Sequence, residues 1–533
     1  MRYGVVLACL AGSHFSASAQ TPAQRGPDNF PNALKNEALA IVEANAKLTQ
    51  EITDSLFSFS ELGFQEFETQ RYLTSLLARE GFEVERGVSG MPSSWWATWG
   101  RGEPVIALGS DIDGIPKSSQ YPGVAYRRPM VDGAPGHGEG HNSGQAVNIT
   151  AALAVKRIME RERLPGTLVL WPGVAEELLA AKAWFVRDGR FNGVDAVLFT
   201  HVGNNLGVSW GNPTGTGLVS VEYSFEGTAA HGAQDPWRGR SALDAVELMN
   251  VAWNYRREHL RPEQRSHYVI VSGGDQPNVV PSEATVWYFI REIDAAGVRA
   301  NFATLQRIAD GAALMTDTTL SRRIVGAAWP RHFNRPIALA MDANIKAIGL
   351  PDWSEDDQTF AKALQRLMDV PEKGLPLELE GLQEPSGATR SGGSDDIGDV
   401  SWVVPTVTLR YPSNVEGMIF HHWSSAMAMA TPVAHKGATV GAKAVAATLL
   451  DLLQDADLRA AAWQYLREEQ LDGIEYEPFI GPSDSPPTEK NAATMAEFKE
   501  RLRAFYYDPR KHRTYLEQLG IDYPQLEPPD TDR

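Results

Sequence analysis

The stretch from Gly136 to Gly144, "GHGEGHNSG", places His137, Glu139 and His141 close together between glycines. Imidazoles and a carboxylate at this spacing are nitrogen and oxygen donors for a divalent metal ion, and the glycines let the backbone turn tightly enough to aim them at one point. Further donors recur down the chain: Glu176 beside Glu177, His201 at the end of an apolar run, and a histidine from "FHHWSS". The candidate ligands are therefore Glu139, His141, Glu177, His201 and one of His421 or His422. This mixed set suits zinc, manganese or cobalt, and a pair of ions needs an anionic ligand shared between them. Adjacent residues of an extended backbone point opposite ways, so one of Glu176 and Glu177 can bind metal while the other faces an attacking water as general base.

These donors need a common scaffold. Three short apolar runs, Val105–Gly109, Thr167–Trp171 and Ala196–Thr200, have the length of buried strands. Each leads into polar residues: Asp111 and Asp113, Glu176 and Glu177, and His201. The runs alternate with helical segments near Asn36–Leu56, Thr69–Glu80 and Ala146–Glu162, the last capped by Asn142 or Ser143, which predicts an α/β fold with a mostly parallel sheet. In such sheets the ligand site lies beyond the carboxyl ends of the strands, where these polar ends would meet.

From about Gly217 the pattern changes. Val219, Val221, Tyr223 and Phe225 alternate with polar residues as in a half-buried strand. A helix (Ser241–His259), two strands (Tyr268–Ser272, Thr285–Arg291), a helix (Val298–Met315) and a strand (Thr318–Ile324) follow. The order β-α-β-β-α-β is that of a ferredoxin-like α+β unit, inserted here into the first domain. The expected organisation is a catalytic domain in two segments, 20–216 and 330–453, an inserted domain at 217–329, and a C-terminal extension at 454–533 with a helix near Ala492–Phe505. Trp95, Trp96 and Trp99 in "SSWWATWG" sit in a predicted strand, which assigns them to core packing rather than to an aromatic wall.

With 533 residues, 43% of them hydrophobic, the chain can build two or three cores. A formal net charge of −18 and a pI near 5.2 argue against nucleic acid or an anionic membrane as partner. Residues 1–19 combine Arg2, a short apolar run and a small-residue end at Ala17-Ser18-Ala19, the pattern of a signal peptide cleaved after Ala19 for export to the periplasm or medium. No segment reaches membrane-spanning length. The single cysteine, Cys9, lies in that leader, so the mature chain is expected to carry no disulfide.

"GSDID", "GHGEGHNSG", "AEELLAAKAWF", "THVG", "EGTAAHGA", "GRSALDAVELM", "PNVVPSEATVWYFIR", "DDIGDVSW" and "GMIFHHW" followed by "AHKG" occur in the order seen in the zinc aminoacylase/carboxypeptidase-like metallopeptidases. The chain resembles this family from about Asn36 to Leu453, most of all the branch that holds the aminobenzoyl-glutamate hydrolase B subunit. The resemblance implies an amidohydrolase with two divalent ions per subunit, zinc first, manganese or cobalt otherwise. It implies His141, Glu177, His201 and His421 as ligands, His421 being two places before Trp423. It also implies Glu176 as the base that takes a proton from the attacking water, and Asp113 as the carboxylate that orients a ligand histidine. His137 is expected beside the ligands. The inserted domain becomes a lid and dimerisation domain, whose His231 would stabilise the oxyanion in a neighbouring subunit's site and whose Asn278 and Arg291 would help hold substrate. Where the family's turn carries a cysteine, this chain has Glu139, which is expected to bridge the two ions.

Three rival readings follow from the same residues. "GVSWG", Gly207 to Gly211, fits the G-x-S-x-G serine elbow, but Asn212-Pro213 follow where a helix should begin. A non-catalytic binding protein on the same fold would have no need of Glu176. An activated water could also attack a ring carbon and deaminate an aromatic amine. The expected substrate is a small N-acyl or N-aroyl amino acid, of the aminobenzoyl-glutamate kind, or a dipeptide.

Overall fold

The computed structural model describes residues 30–212, 215–385 and 392–528. The expected leader at 1–19, with Cys9, lies outside the described residues.

The strands in chain order are β1 (Glu83–Arg86), β2 (Trp95–Arg101), β3 (Val105–Asp111), β4 (Gly166–Gly173), β5 (Ala196–Gly203), β6 (Gly207–Val208), β7 (Gly217–Glu226), β8 (Arg265–Ser272), β9 (Glu283–Glu292), β10 (Thr319–Ala328) and β11 (Thr406–Pro412). They form a seven-stranded sheet, β1-β2-β4-β3-β5-β11-β6, and a four-stranded sheet, β10-β7-β9-β8. In the larger sheet the neighbours β4, β3, β5 and β11 run parallel, while β1, β2 and β6 join antiparallel at the edges. Every residue of β4 is buried, which explains why it reads as an unbroken apolar run rather than an alternating one. Helices Gly144–Glu162 and Pro432–Gln454 pack on each other and on β3 and β11. The helix expected near Asn36–Leu56 is two helices, Ala33–Ala44 and Ala46–Phe59, because Asn45 leaves helical geometry and caps the first. Trp95 is fully buried and Trp96 stacks on Trp171 with ring centroids 6.4 Å apart, so the tryptophans are core.

The smaller sheet is antiparallel throughout, and with helices Ala242–Arg256 and Ala295–Thr316 it has the β-α-β-β-α-β order. Strand β9 alternates between a buried face against the helices and a half-buried one, as the period-two sequence requires. Strand β8 pairs with β9 and forms an edge of this sheet, with Val269, Ile270 and Val271 exposed.

The residues after Gln454 fold back over both units. Phe479 stacks on Trp329 with centroids 5.7 Å apart, and the Arg299 guanidinium of the smaller unit donates to Glu477 O at 2.7 Å. Lys490 pairs with Glu222 of β7 and lies 4.6 Å over the Trp287 ring, while Asn491 donates to Gly63 O at 3.0 Å in the larger unit. Farther on, Met495, Phe498 and Leu502 pack on Leu62, Val131 and Ala134, and Gln525 exchanges backbone hydrogen bonds with Gly123 and Ala125. The segment therefore encloses the loop 117–135 that leads into the "GHGEGH" turn.

His332 joins this layer through a 3.0 Å contact between Nε2 and Tyr465 OH. Burial pushes its imidazole down from 6.5 to about 4. The unfolded chain then binds this proton at a higher pH than the folded one. Its contribution to stability is complete above pH 6.5 and is lost as the pH falls towards 4, at up to about 1.4 kcal/mol per pH unit. His332→Gln should flatten the pH dependence of unfolding free energy in that window by this share, measured by denaturant titration at stepped pH.

Candidate metal centre

The strand ends supply the scaffold. β3 closes on Asp111, with Asp113 two residues on, and His201 is the third residue from the end of β5. After β4 the chain makes a one-turn 3-10 helix, Glu176–Leu178, between Ala175 at φ 49° and Leu179 at φ 54°. Glu176 and Glu177 therefore lie about a third of a turn apart on one 3-10 helix and not, as expected, on opposite faces of extended backbone. The turn is braced from two sides: Ala175 N–H donates to Glu66 at 2.8 Å, and Ala327 N–H of β10 donates to Leu179 O at 2.8 Å. Next to it, Gly326 leaves no room for a side chain, since a Cβ would stand 2.4 Å from Leu179 O and 2.5 Å from Leu178 O. In the metal turn, Gly140 at φ 114° reverses the chain between Glu139 and His141. His421 is held at φ 59°, its N–H donating to Gly138 O at 3.1 Å. Left-handed non-glycine residues are costly, and three of them, Ala175, Leu179 and His421, border this one place.

The side chains converge. His141 Nε2 and His201 Nε2 are 3.3 Å apart, and His141 Nε2 is 3.9 Å from Glu176 Oε2. Glu139 reaches two histidines with two different oxygens, Oε1 at 3.5 Å from His201 Nε2 and Oε2 at 2.8 Å from His421 Nε2. Glu177 Oε2 is 3.3 Å from His421 Nε2. Asp113 holds His141 Nδ1 with Oδ1 at 3.3 Å and accepts the Glu177 N–H with Oδ2 at 3.0 Å. Of the two histidines in "FHHW", His421 joins the cluster. His422 instead accepts the Ser424 N–H and caps the helix Trp423–Ala426.

The electrostatics fit divalent cations. Burial, with Asp111 and Asp395 nearby, pushes the Glu176 carboxyl well above its usual range, and burial with Glu139 and Glu176 does the same to Glu177. Burial alone would raise Glu139 too, but hydrogen bonds from His201 and His421 outweigh it and hold that carboxyl well below 4.5. Glu177 Oε1 is buried with no hydrogen-bond partner among the described residues. Glu139, His141 and Glu177 each bring one donor atom within 4.8 Å of the others. Carboxylates this crowded, with imidazole nitrogens pointing into the same space and a buried orphan oxygen, are the complement of a dication.

Other residues singled out from sequence stand apart. His137 is buried with Nε2 3.0 Å from Leu56 O, burial pushes its imidazole down to about 3, and it hydrogen-bonds none of the five converging residues. His231 is exposed on the smaller unit, its Nδ1 accepting the N–H groups of Ala233 and Gln234 at 3.2 and 3.1 Å. That fixes the tautomer of the neutral ring, so Nε2 carries the proton, and it meets no acceptor among the described residues. Asn278 is exposed beside it, its carbonyl accepting the Gly232 N–H at 2.8 Å. Arg291 lies 5.0 Å from the Phe289 ring and 3.3 Å from His267 Nδ1, with Nε buried and unpartnered. Ser209 pairs with Gln383 in an isolated bridge after β6, and among the described residues no helix follows before β7, so the serine-elbow reading fails.

Four residues not assigned from sequence, Lys182, Asp395, Asp396 and Arg410, support the centre. Lys182 is fully buried, 2.6 Å from Asp111 Oδ1, paired with Asp396 and 3.8 Å from Asp395. Asp396 Oδ2 also accepts the Ala181 and Lys182 N–H groups, fastening the segment after the Glu176 turn. Arg410 of β11, in register with His201, contacts His201 Nδ1. A lone lysine in the Ala-rich run after Glu177, and a lone arginine in an otherwise uncharged buried strand, were the available signals.

Residues 215–314 match the model of the M20 peptidase dimerisation domain. The B subunit of the p-aminobenzoyl-glutamate hydrolase from Escherichia coli is 34% identical over 465 residues, 83% of this chain and 95% of that one. The chain belongs to the M20 family. This M20 protein is a metal-dependent amidohydrolase that acts on C–N amide bonds. The Xaa-Arg dipeptidase of Mus musculus is 25% identical over 464 residues, 85% of this chain and 98% of its own length. The crystal structure of the aminobenzoyl-glutamate utilization protein from Klebsiella pneumoniae shares the fold, with a TM-score of 0.52 at 16% identity over 76% of this chain and 97% of that one. The relatives bear out the catalytic domain with an inserted dimerisation domain, and they leave no place for a non-catalytic binding protein.

Proposed function

We propose that this M20 enzyme releases an amino acid from a small N-acyl or N-aroyl amino acid of the aminobenzoyl-glutamate kind, or from a dipeptide, at a centre of two divalent ions. Zinc is the first choice of ion, manganese or cobalt the alternatives. The observation that carries this is Glu139: its two oxygens address two different histidines, His201 and His421, as a bridge between two ions requires. Glu139, His141, Glu177, His201 and His421 would hold the ions, which polarise the substrate carbonyl and lower the pKa of a water when bound. Asp113 fixes His141 through Nδ1 and leaves Nε2 for the centre. Glu176, 3.9 Å from His141 Nε2, takes the proton from the attacking water and delivers it to the departing amine. Dialysis against a chelator should abolish turnover of 4-aminobenzoyl-glutamate, and zinc, manganese or cobalt should restore it, with glutamate as product. Ammonia as product, or loss of activity to a serine-directed reagent instead of a chelator, would overturn this reading.

The dimerisation domain carries the second part of the proposal, a homodimer in which His231 works on the partner's substrate. The exposed edge β8, with Val269, Ile270 and Val271, and the helix residues Val251 and Tyr255 offer an apolar surface for a second copy. In each subunit His231 is exposed with Nε2–H free, the donor an oxyanion needs, and Asn278 and Arg291 of the same domain supply polar contacts to substrate. Mixing His231→Ala with Glu176→Gln, each inactive alone, should restore about a quarter of wild-type activity after subunit exchange, because half the dimers are mixed and each mixed dimer holds one complete site. No recovery would place His231 in its own subunit's site. Residues 1–19 are proposed to direct export. Periplasmic fractionation of the expressed protein, with N-terminal sequencing to find Gln20 first, checks this.

A further inference from the structure

Beyond the carboxyl ends of β5 and β11, next to β6, the structure contains a cavity of about 320 Å³. It adjoins the centre through Arg410, which lines it and contacts His201 Nδ1, and Phe420, which also lines it, precedes His421. Its position in the sheet is informative. Glu176 follows β4, and the dimerisation domain leans on that turn through Gly326 and Ala327, whereas the cavity opens two strands away, past β3, at β5 and β11. The two flank the centre on different sides. A substrate whose amide lies at the centre therefore has one half toward the dimerisation domain and the other toward the cavity.

The walls say which half. Leu206, Val208, Val415, Met418 and Phe420 give apolar surface and Arg410 gives one guanidinium, while Glu380 and Glu416 add carboxylates, the latter paired with Lys373. That guanidinium makes its hydrogen bonds through Nη1, to Val202 O at 3.1 Å and to His201 Nδ1, and among the described residues no carboxylate pairs with it. A half-buried guanidinium with no carboxylate in direct contact among the described residues, bordered by aliphatic and aromatic side chains, matches the face of an aryl ring, on which arginine stacks. The volume lies at the small end of ligand pockets, which run from roughly 300 to 1,000 Å³, enough for one substituted ring and not for a peptide.

We infer that this cavity receives the acyl half of the substrate, and that Arg410 with Met418, Val415 and Phe420 selects an aromatic acyl group. The inference rests on the amide-hydrolysis reading above and extends it to the direction in which the substrate lies. Filling the cavity tests it. Met418→Trp, or Val415→Phe should the first not fold, is compared with wild type on 4-aminobenzoyl-glutamate, acetyl-glutamate and 4-aminobenzoyl-alanine, with melting temperature and metal content as controls. The ratio of kcat/KM for the aroyl over the acetyl substrate should fall by about tenfold or more, while the ratio between the two aroyl substrates stays within roughly twofold. A change in the second ratio instead would put the amine half in the cavity, and no change in either would remove the cavity from substrate binding. Both overturn the inference. A wild type that hydrolyses none of the three sinks the substrate reading itself, which is a separate and visible result.

Discussion

Glu176→Gln lowers kcat by roughly 10²–10⁴-fold, the range expected when a positioned general base is removed, with KM and the two-ion content near wild type. The geometry supports so clean a result. The carboxyl sits in a turn pinned by Glu66 on one side and by β10 on the other, so an isosteric amide keeps its place. The amide cannot accept a proton, and Glu176 is not among Glu139, His141, Glu177, His201 and His421, the set that would hold ions. Steady-state kinetics together with elemental analysis of the same preparation gives the answer. A residual activity above a tenth of wild type would assign the base elsewhere, and loss of an ion would make Glu176 a ligand.

Glu139→Ala is expected to reduce the ion content from two to one per subunit and to abolish measurable turnover. The reason is the split of its carboxylate, Oε1 toward His201 and Oε2 toward His421. A residue at the rim of one ion would leave the other histidine's side untouched. Glu139→Cys tests the same position from the opposite direction. A thiolate can bridge as well, so this variant should recover both ions under reducing conditions and lose them on exposure to peroxide, which leaves a carboxylate unharmed. Unchanged two-ion stoichiometry in the alanine variant would take Glu139 out of the bridge.

Much of the architecture was legible because two sequence periods differ so plainly. Runs such as Thr167–Trp171, buried on both faces, announced a parallel sheet, and the alternation from Val219 to Phe225 announced a sheet with a half-buried face. The convergence of Glu139, His141, Glu177, His201 and His421 was legible for the same reason, since three of these segments sit at or beyond the ends of strands that must be neighbours. The local path of Glu176 and Glu177 was not. Two adjacent glutamates look the same in a strand and in a 3-10 turn, and what decides is contact with Gly326, some 150 residues away in the chain. Lys182 and Arg410 were hidden too. Their significance lies in partners, Asp111 and Asp396 for one and His201 for the other, that come together only through the sheet register. The break at Asn45 carries no mark in the sequence, because a lone asparagine is compatible with a helix interior.

The way the last eighty or so residues wrap the loop 117–135 has a consequence for biosynthesis. A ribosome delivers "GHGEGH" early, but His421 comes late, and the loop leading into that turn is closed only when Gln525 has paired with Gly123 and Ala125. The nascent chain thus carries an acidic, histidine-bearing turn for most of its synthesis without the means to finish it. Closure of the hydrolytic centre therefore waits for the last part of the chain, and a product truncated before Gln525 lacks the pairing that encloses the turn.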